Sequence, residues 1–244
     1  MSLGNDLKIL YHLAVRPIRG KTHSERMESF YSGQAEGYDD FRKRLLQGRE
    51  GVYQEVANRT PGGVWVDMGG GTGSNLEFIG PQLSKFDQVY VVDLAESLLG
   101  IVEKRSQKNG WTNVKAVAGD ATQWTPPEGS ADVVTFSYSL TMIPDWFAAI
   151  DNAIRILKPG GLLGVIDFYV SRKYPADGLR RHGWSTRSFW PLWFANDNVF
   201  PNPDHVPYLQ KNLDTVLLNE ERAKVPYIPL ARTPYYQFVG QKRS

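Results

Sequence analysis

The sequence predicts an α/β protein built on a doubly wound, mostly parallel seven-stranded sheet. N-terminal helices precede the sheet, and an aromatic-rich insertion precedes two closing antiparallel strands. Three observations predict it. Short apolar runs alternate with helical stretches between residues 64 and 170, the pattern of buried parallel strands joined by crossover helices. A glycine run, Gly69-Gly70-Gly71-Thr72-Gly73, follows the first apolar run directly. Acidic residues stand at the ends of three successive strands, at Asp67, Asp93 and Asp120.

The 244 residues, 41% of them hydrophobic, are enough for one good core, so one domain over 1–244 is expected. Within it, 1–60 reads as a helical cap, 64–170 as a cofactor-binding core, 171–207 as a substrate-flap insertion and 208–244 as the closing strands. A net charge of +2 is too balanced for nucleic acid as main partner. The absence of Cys excludes disulfides, a thiolate metal site and a Cys nucleophile, and fits a reducing compartment. No run approaches the roughly 20 apolar residues of a membrane span. The opening MSLGND lacks the apolar core of a signal peptide. A cytoplasmic location is expected.

Residues 7–21 read as a short amphipathic helix, with Leu7, Leu10, Tyr11 and Ala14 on one face and Lys8, His12 and Arg16 on another. Pro17 marks its end. Helices follow over 24–46 and 49–59, the latter stopped at Pro61-Gly62-Gly63. Strands are predicted at 64–68, 88–94, 114–119, 132–139 and 161–170. Helices are predicted at 96–108 and 145–157. Strands at 215–222 and 234–240 have no helix between them, so they pair as a hairpin at one edge. The stretch HGWSTRSFWPLWFAND, 182–197, holds three of the seven tryptophans and has no helical or strand period that would bury them.

Glycines at 69, 71 and 73 let the backbone turn tightly and let a ligand approach without a Cβ in the way. The ligand is expected at the carboxyl end of the strands, at the switch point. A dinucleotide site would need G-x-G-x-x-G, but Ser74 stands three residues after Gly71. Asp67 would also repel a pyrophosphate, and suits a cofactor carrying a cationic amine. Asp93, twenty residues after Gly73, can accept both ribose hydroxyl protons or cap the following helix. Asp120 can accept from an adenine amino group or close a turn.

VDMGGGTGSN, VVDLAESLL, AGDATQW, ADVVTFSYSLTMIPDW and LKPGGLLGVIDF resemble the class I S-adenosylmethionine-dependent methyltransferases over about 64–168. The resemblance implies a Rossmann-like methyltransferase fold and S-adenosyl-L-methionine as cofactor, with S-adenosyl-L-homocysteine as product. It implies that Gly69, Gly71 and Gly73 line the methionine part, that Asp93 with Leu94 holds the ribose, and that Asp120 with Ala121 holds the adenine. Ser137 would face the methyl group. Tyr38, within Phe30-Tyr31…Tyr38-Asp39, would cap the cofactor.

Several acceptors can be set aside. No Pro-Pro follows the fourth strand, where Phe136-Ser137-Tyr138-Ser139-Leu140 stands, so amino methylation of nucleic acid is not expected. Cytosine-carbon methylation needs a Cys. No carboxylate/His cluster of metal type is visible, so no metal is expected. A closer resemblance, in FYSGQAEGYDDFRKRLLQGRE, SYSLTMIPDWF, DFYVSRKYPADGLRRHGWSTRSFWPLWFANDNVF and PDHVPYL, is to the methyltransferase part of betaine-lipid synthase. It covers about 24–240. It implies three successive methylations of the amine of diacylglyceryl-homoserine, and leaves room for a partner aminocarboxypropyl transferase. Aromatic faces attract quaternary ammonium, and aromatic surfaces with Arg or Lys suit a lipid headgroup boundary. Peripheral contact with a membrane surface follows, helped by Lys8, His12 and Arg16.

Methyl transfer requires a neutral attacking amine. His182 is the first candidate base, ahead of His12, His23 and His205, and Tyr31 or Tyr138 could orient the amine. Arg181 or Arg180 could hold the homoserine carboxylate. Trp184, Phe189, Trp190, Trp193 and Phe194 either line the substrate or pack the insertion onto the sheet. Two other readings stay open: methylation of an unrelated soluble small molecule, and a non-catalytic cofactor-binding partner protein.

Overall fold

The structure, a computed structural model, describes residues 20–31, 44–195, 198–226 and 231–244. The expected helix over 7–21, except its last residues, and Tyr38 lie outside these. Seven strands form one sheet in the order β3-β2-β1-β4-β5-β7-β6. They are β1 Gly63–Met68, β2 Phe86–Asp93, β3 Val114–Ala118, β4 Ala131–Ser137, β5 Leu157–Phe168, β6 Asp214–Lys224 and β7 Arg232–Gln241. The first five pair in parallel. β7 runs antiparallel between β5 and β6. The hairpin-like closing pair read from the sequence is therefore present, and its second strand is the inner one.

Both sheet faces are covered, as the continuous apolar strands require. Alternation along β1 and β2 sends Trp65, Val89 and Val91 to one core and Val64, Val66, Met68, Tyr90 and Val92 to the other. The first core is closed by Val52, Tyr53 and Val56 of the helix α2, Arg49–Arg59. The second is closed by Ala149, Ile150 and Ala153 of α4, Trp146–Ile156, and by Val206 and Leu209 of α6, His205–Asn212. α3, Glu96–Asn109, joins β2 to β3 and ends at Gly110 in the left-handed conformation, a glycine C-terminal stop.

Three elements depart from the sequence reading. The expected helix over 24–46 is helical at α1, His23–Tyr31, and at 44–45, with 32–43 outside the described residues. A bend and turn occupy 46–48, with Gly48 at φ 83, so the helix ends one residue early. Ser74–Lys85 forms 3-10 helix broken at Gly80-Pro81, because Pro81 supplies no amide hydrogen for a regular α-helical ladder.

The third departure is the insertion. Trp184–Ala195 is a helix, α5, although the stretch was read as lacking any period. The period is there, at i and i+4: Trp190 and Phe194 are buried against Phe168. Large apolar residues on the outer face hide it.

Candidate active site

The glycine loop begins where β1 ends. Gly69 and Gly71 sit at φ 64 and 59, a region that costs a residue with a Cβ roughly 1–2 kcal/mol. At Gly69 the crowding is also direct, since a Cβ there would lie 2.6 Å from Ser139 Cβ. At Gly71 a Cβ would meet nothing closer than Leu98, at 3.8 Å. The Gly71 N–H donates to Asp93 Oδ2 (2.9 Å), and the Ala95 N–H donates to Asp93 Oδ1 (3.0 Å). Asp93 thus ties the loop to the start of α3. The rim-acid reading is compatible with this position; the helix-cap reading is not, because Ala95 occupies the cap position and no side chain caps α3.

Asp67 stands elsewhere than expected. Its carboxylate is fully buried beneath the loop and does not line the cavity. Oδ1 accepts from Tyr53 Oη (2.6 Å) and Thr135 Oγ1 (2.8 Å). Asn75 donates to the Tyr53 hydroxyl, and Arg49 donates to Asn75 Oδ1, so a chain of polar groups runs from α2 to the floor of the site. Oδ2 has no hydrogen-bond partner among the described residues, and a Cβ on Gly70 would lie 2.8 Å from it. Burial pushes the Asp67 pKa up to about 6, against the lowering effect of Tyr53 and Thr135.

A cavity opens above the loop. Gly69, Gly71, Asp93, Leu94, Asp120 and Ala121, six of the expected cofactor residues, all line it. Gly73 does not, but it closes the loop by donating to the Gly70 carbonyl (3.1 Å). Asp120 Oδ1 accepts from the Thr122 N–H and hydroxyl, which is the turn role the sequence left open. Ser137 is buried outside the lining, and its hydroxyl lacks a partner among the described residues.

Tyr138 lines the opposite wall at φ 53. Its hydroxyl donates to the Gln47 carbonyl (2.7 Å), so the ring face, not the hydroxyl, is what it offers. Desolvation, with Asp167 nearby, holds that hydroxyl well above the usual tyrosine range. Met27 of α1, Met142 and Ile143 complete the apolar side.

The sequence reading missed Asp167, at the end of β5. It is fully buried and accepts from the Thr141 hydroxyl (2.7 Å), the Thr141 N–H (3.1 Å) and the Phe168 N–H (2.8 Å). It therefore fixes the loop that carries Tyr138 and Met142. Burial raises its pKa to about 7. The one available signal was an acid inside the apolar run GVIDF.

Of the residues expected to touch the substrate, Tyr138 lines the cavity, and His182, Arg181, Trp184, Trp190 and Trp193 do not. His182 is buried at the root of the insertion. Its Nδ1 accepts from the Ser171 N–H (3.0 Å), and its own N–H donates to Ser171 Oγ (2.8 Å). Desolvation lowers its pKa to about 4. This is an anchoring arrangement away from the cavity lining. Arg181 is exposed, its guanidinium 5.3 Å from the Tyr174 ring centroid. Trp184 and Trp193 are exposed on α5, and Trp190 is buried in the core. Tyr31 ends α1. His205 is also buried, edge-on to Trp146 at 4.8 Å.

A glycine floor and two rim acids suit a ligand with a sugar and a base, and the Asp67 carboxylate beneath the loop favours a cationic one. Fold and site together define an S-adenosylmethionine-dependent methyltransferase. The chain belongs to the methyltransferase-domain family, whose model matches residues 34–214. A ubiquinone/menaquinone biosynthesis C-methyltransferase of Shewanella halifaxensis is 24% identical over 207 residues, covering 83% of this chain and 81% of its own. A demethylmenaquinone methyltransferase of Geobacillus kaustophilus is 32% identical over 144 residues, 57% of this chain and 56% of its own. Among solved structures, the phosphoethanolamine N-methyltransferase 2 of Haemonchus contortus aligns over 92% of this chain and 61% of its own. Its TM-score is 0.67 at 14% identity. The N-methyltransferase NodS of Bradyrhizobium japonicum, bound to S-adenosylhomocysteine, aligns over 80% and 86% with a TM-score of 0.58 at 14% identity.

Proposed function

We propose that this methyltransferase acts on the amine of a lipid headgroup, with successive methylation of diacylglyceryl-homoserine to the trimethylated betaine lipid as the specific reaction. The observation that carries the reading is a ladder of rings leading from the cavity into the insertion. Tyr138 and Phe168 have centroids 4.6 Å apart, Phe168 and Phe194 4.6 Å, and Phe194 and Trp190 5.7 Å. Of these rings Tyr138 lines the cavity, backed by the buried others; such a ring would favour a methylated ammonium by about 0.5–2 kcal/mol, and the attraction persists as each methyl group is added.

Gly69, Gly71, Asp93, Leu94, Asp120 and Ala121 would hold the cofactor. When bound, it supplies an electrophilic methyl group on a cationic sulfur. The chain's own contribution is positioning, which provides much of the acceleration in such a displacement. Asp93 fixes the loop, Asp167 fixes the wall that carries Tyr138, and the Tyr138 ring faces the acceptor. With the His182 Nδ1 committed to Ser171, the amine proton is given up to water, before the amine closes on the site.

A second reading is methylation of a ring carbon in a quinone-type lipid, favoured by the names of the C-methyltransferases reported above. The experiment is mass spectrometry after incubation with labelled S-adenosylmethionine and either diacylglyceryl-homoserine or a demethylated quinol. Mass steps of one, two and three methyl groups on the first substrate are expected. Label only in the quinol would favour the second reading, and label in neither from cofactor-bound protein would reject both.

A further inference from the structure

We propose that the outward face of α5, with the basic loop that precedes it, docks this protein on an anionic lipid bilayer. The proposal deepens the lipid reading above. Its test needs neither cofactor nor turnover, so the two can fail separately.

Six large apolar side chains lie on this twelve-residue helix, and only two of them, Trp190 and Phe194, are buried. Trp184 is 77% exposed, Leu192 74%, Phe189 46% and Trp193 43%. At about 100° per residue these four fall within roughly half of the helix circumference. The outer face therefore carries no charge, and Arg187 is the only charged residue on the helix. Ser185 and Ser188 share this arc, and an uncharged face with four exposed large apolar side chains marks an interaction surface. Tryptophan and phenylalanine in this setting favour the boundary between headgroups and acyl chains.

The charge around the face selects the occupant. Residues 171–195 contain Arg172, Lys173, Arg180, Arg181 and Arg187 against Asp177, a net +4, from which the pairing of Arg172 with Asp204 (2.6 Å) takes one charge. The whole chain is +2, so the remainder is −2. Arg180 and Arg181 are exposed, and the exposed Tyr174 ring has Lys173 Nζ and Arg181 Cζ each 5.3 Å from its centroid. This aromatic-cationic cluster suits headgroup depth, with cationic tips reaching phosphates. A second copy is disfavoured by the same charges, because a two-fold contact would set like-charged rims together.

The surface is tied to the sheet at the start of α5 and along its inner face. His182 locks the end of the basic loop to Ser171, just past β5. The inner face of α5 reaches the cavity through Phe194, Phe168 and Tyr138. Past α5, the Phe200 N–H donates to the Thr141 carbonyl (2.8 Å), in the loop that carries Met142. A bilayer against α5 would thus stand across the helix from the rings that lead to Tyr138.

The test is vesicle flotation of the full chain without cofactor, using phosphatidylcholine alone and phosphatidylcholine mixed with phosphatidylglycerol. The protein is expected to float with the mixed vesicles and much less with the neutral ones. Trp184→Ser combined with Leu192→Ser should lower partitioning about a hundredfold or more, roughly the loss of two buried apolar side chains. Arg181→Gln and Lys173→Gln should each lower it about fivefold, on the anionic vesicles only. An unchanged Tm shows that the variants still fold. No flotation with anionic vesicles would overturn the proposal, as would flotation unaltered by the apolar pair. So would a dimer in sedimentation velocity that the same pair dissolves, with no vesicle binding.

Discussion

The glycine-loop rim and the α5 insertion lie on either side of Tyr138 and work by opposite means. The rim is made of backbone amides and carboxylates held by short-range bonds: the Gly71 and Ala95 N–H groups on Asp93, and Thr122 on Asp120. The insertion is made of rings, sorted by one helix into a buried pair and an exposed set. Cofactor recognition depends on where charges point, so most of its residues announce themselves in the chain. Substrate and surface recognition depend on which side of a helix a ring falls, which residue types alone do not reveal.

The sharpest way to break the comparison uses two tryptophans three residues apart. Trp190→Ala should cost up to about 5 kcal/mol in chemical denaturation, since it empties a packed site beside Phe194. If Trp190→Ala costs no more than a surface change, the inward face of α5 is wrongly assigned.

A slightly smaller effect is expected from Asp167. Its folded pKa is raised from 3.8 to about 7 by burial. A raised acid binds its proton more tightly in the folded state, so its contribution is fully present below about 3.8 and is lost as pH rises through about 7. His205 acts in the opposite sense. Burial lowers its pKa from 6.5 to about 3, so its contribution is present above 6.5 and is lost as pH falls toward 3. Relative to the parent protein, Asp167→Asn should gain stability as pH rises from about 4 to 7, on the order of 4 kcal/mol in all. His205→Phe should show the reverse trend. Parallel stability-pH curves for parent and variants would contradict both assignments.

Asp93→Ala removes the acceptor for two backbone amides and should weaken S-adenosylmethionine binding about a hundredfold, near 3 kcal/mol. Gly71→Ala sharpens the same region. The space beside Gly71 is open, so stability should fall by only about 1 kcal/mol, while the added methyl group stands at the cavity lining and cuts affinity further than it cuts Tm. Smallest of all, Trp193→Ala should change folding stability by less than about 0.5 kcal/mol.

The sheet was legible because strand and helix periods are local. All seven strands and the helices at 49–59, 96–109 and 146–156 fall within a few residues of their expected ends. The 3-10 stretch after the glycine loop was not, since Gly80 and Pro81 mask its turns. Nor was α5, whose exposed rings blur the pattern of its buried ones. In the site, Gly69, Gly71, Asp93 and Asp120 were readable from glycine and acid spacing, and Leu94 and Ala121 from the resemblance. Asp67 was recognised as important but placed on the rim, because nothing local reveals that Tyr53 and Thr135 draw it beneath the loop. His182 looked like a base because its bond to Ser171 is a tertiary contact. Asp167 went unread because its partners arrive from the neighbouring strand's loop.

The central claim is an acid-rimmed, glycine-floored cavity that holds S-adenosylmethionine, and calorimetric titration of the full chain tests it most directly. One saturable site for S-adenosylmethionine and for S-adenosylhomocysteine is predicted, weakened by Asp93→Ala, with no heat from a nicotinamide dinucleotide. Folded protein that gives no heat with S-adenosylmethionine, or that binds the dinucleotide instead, would contradict it.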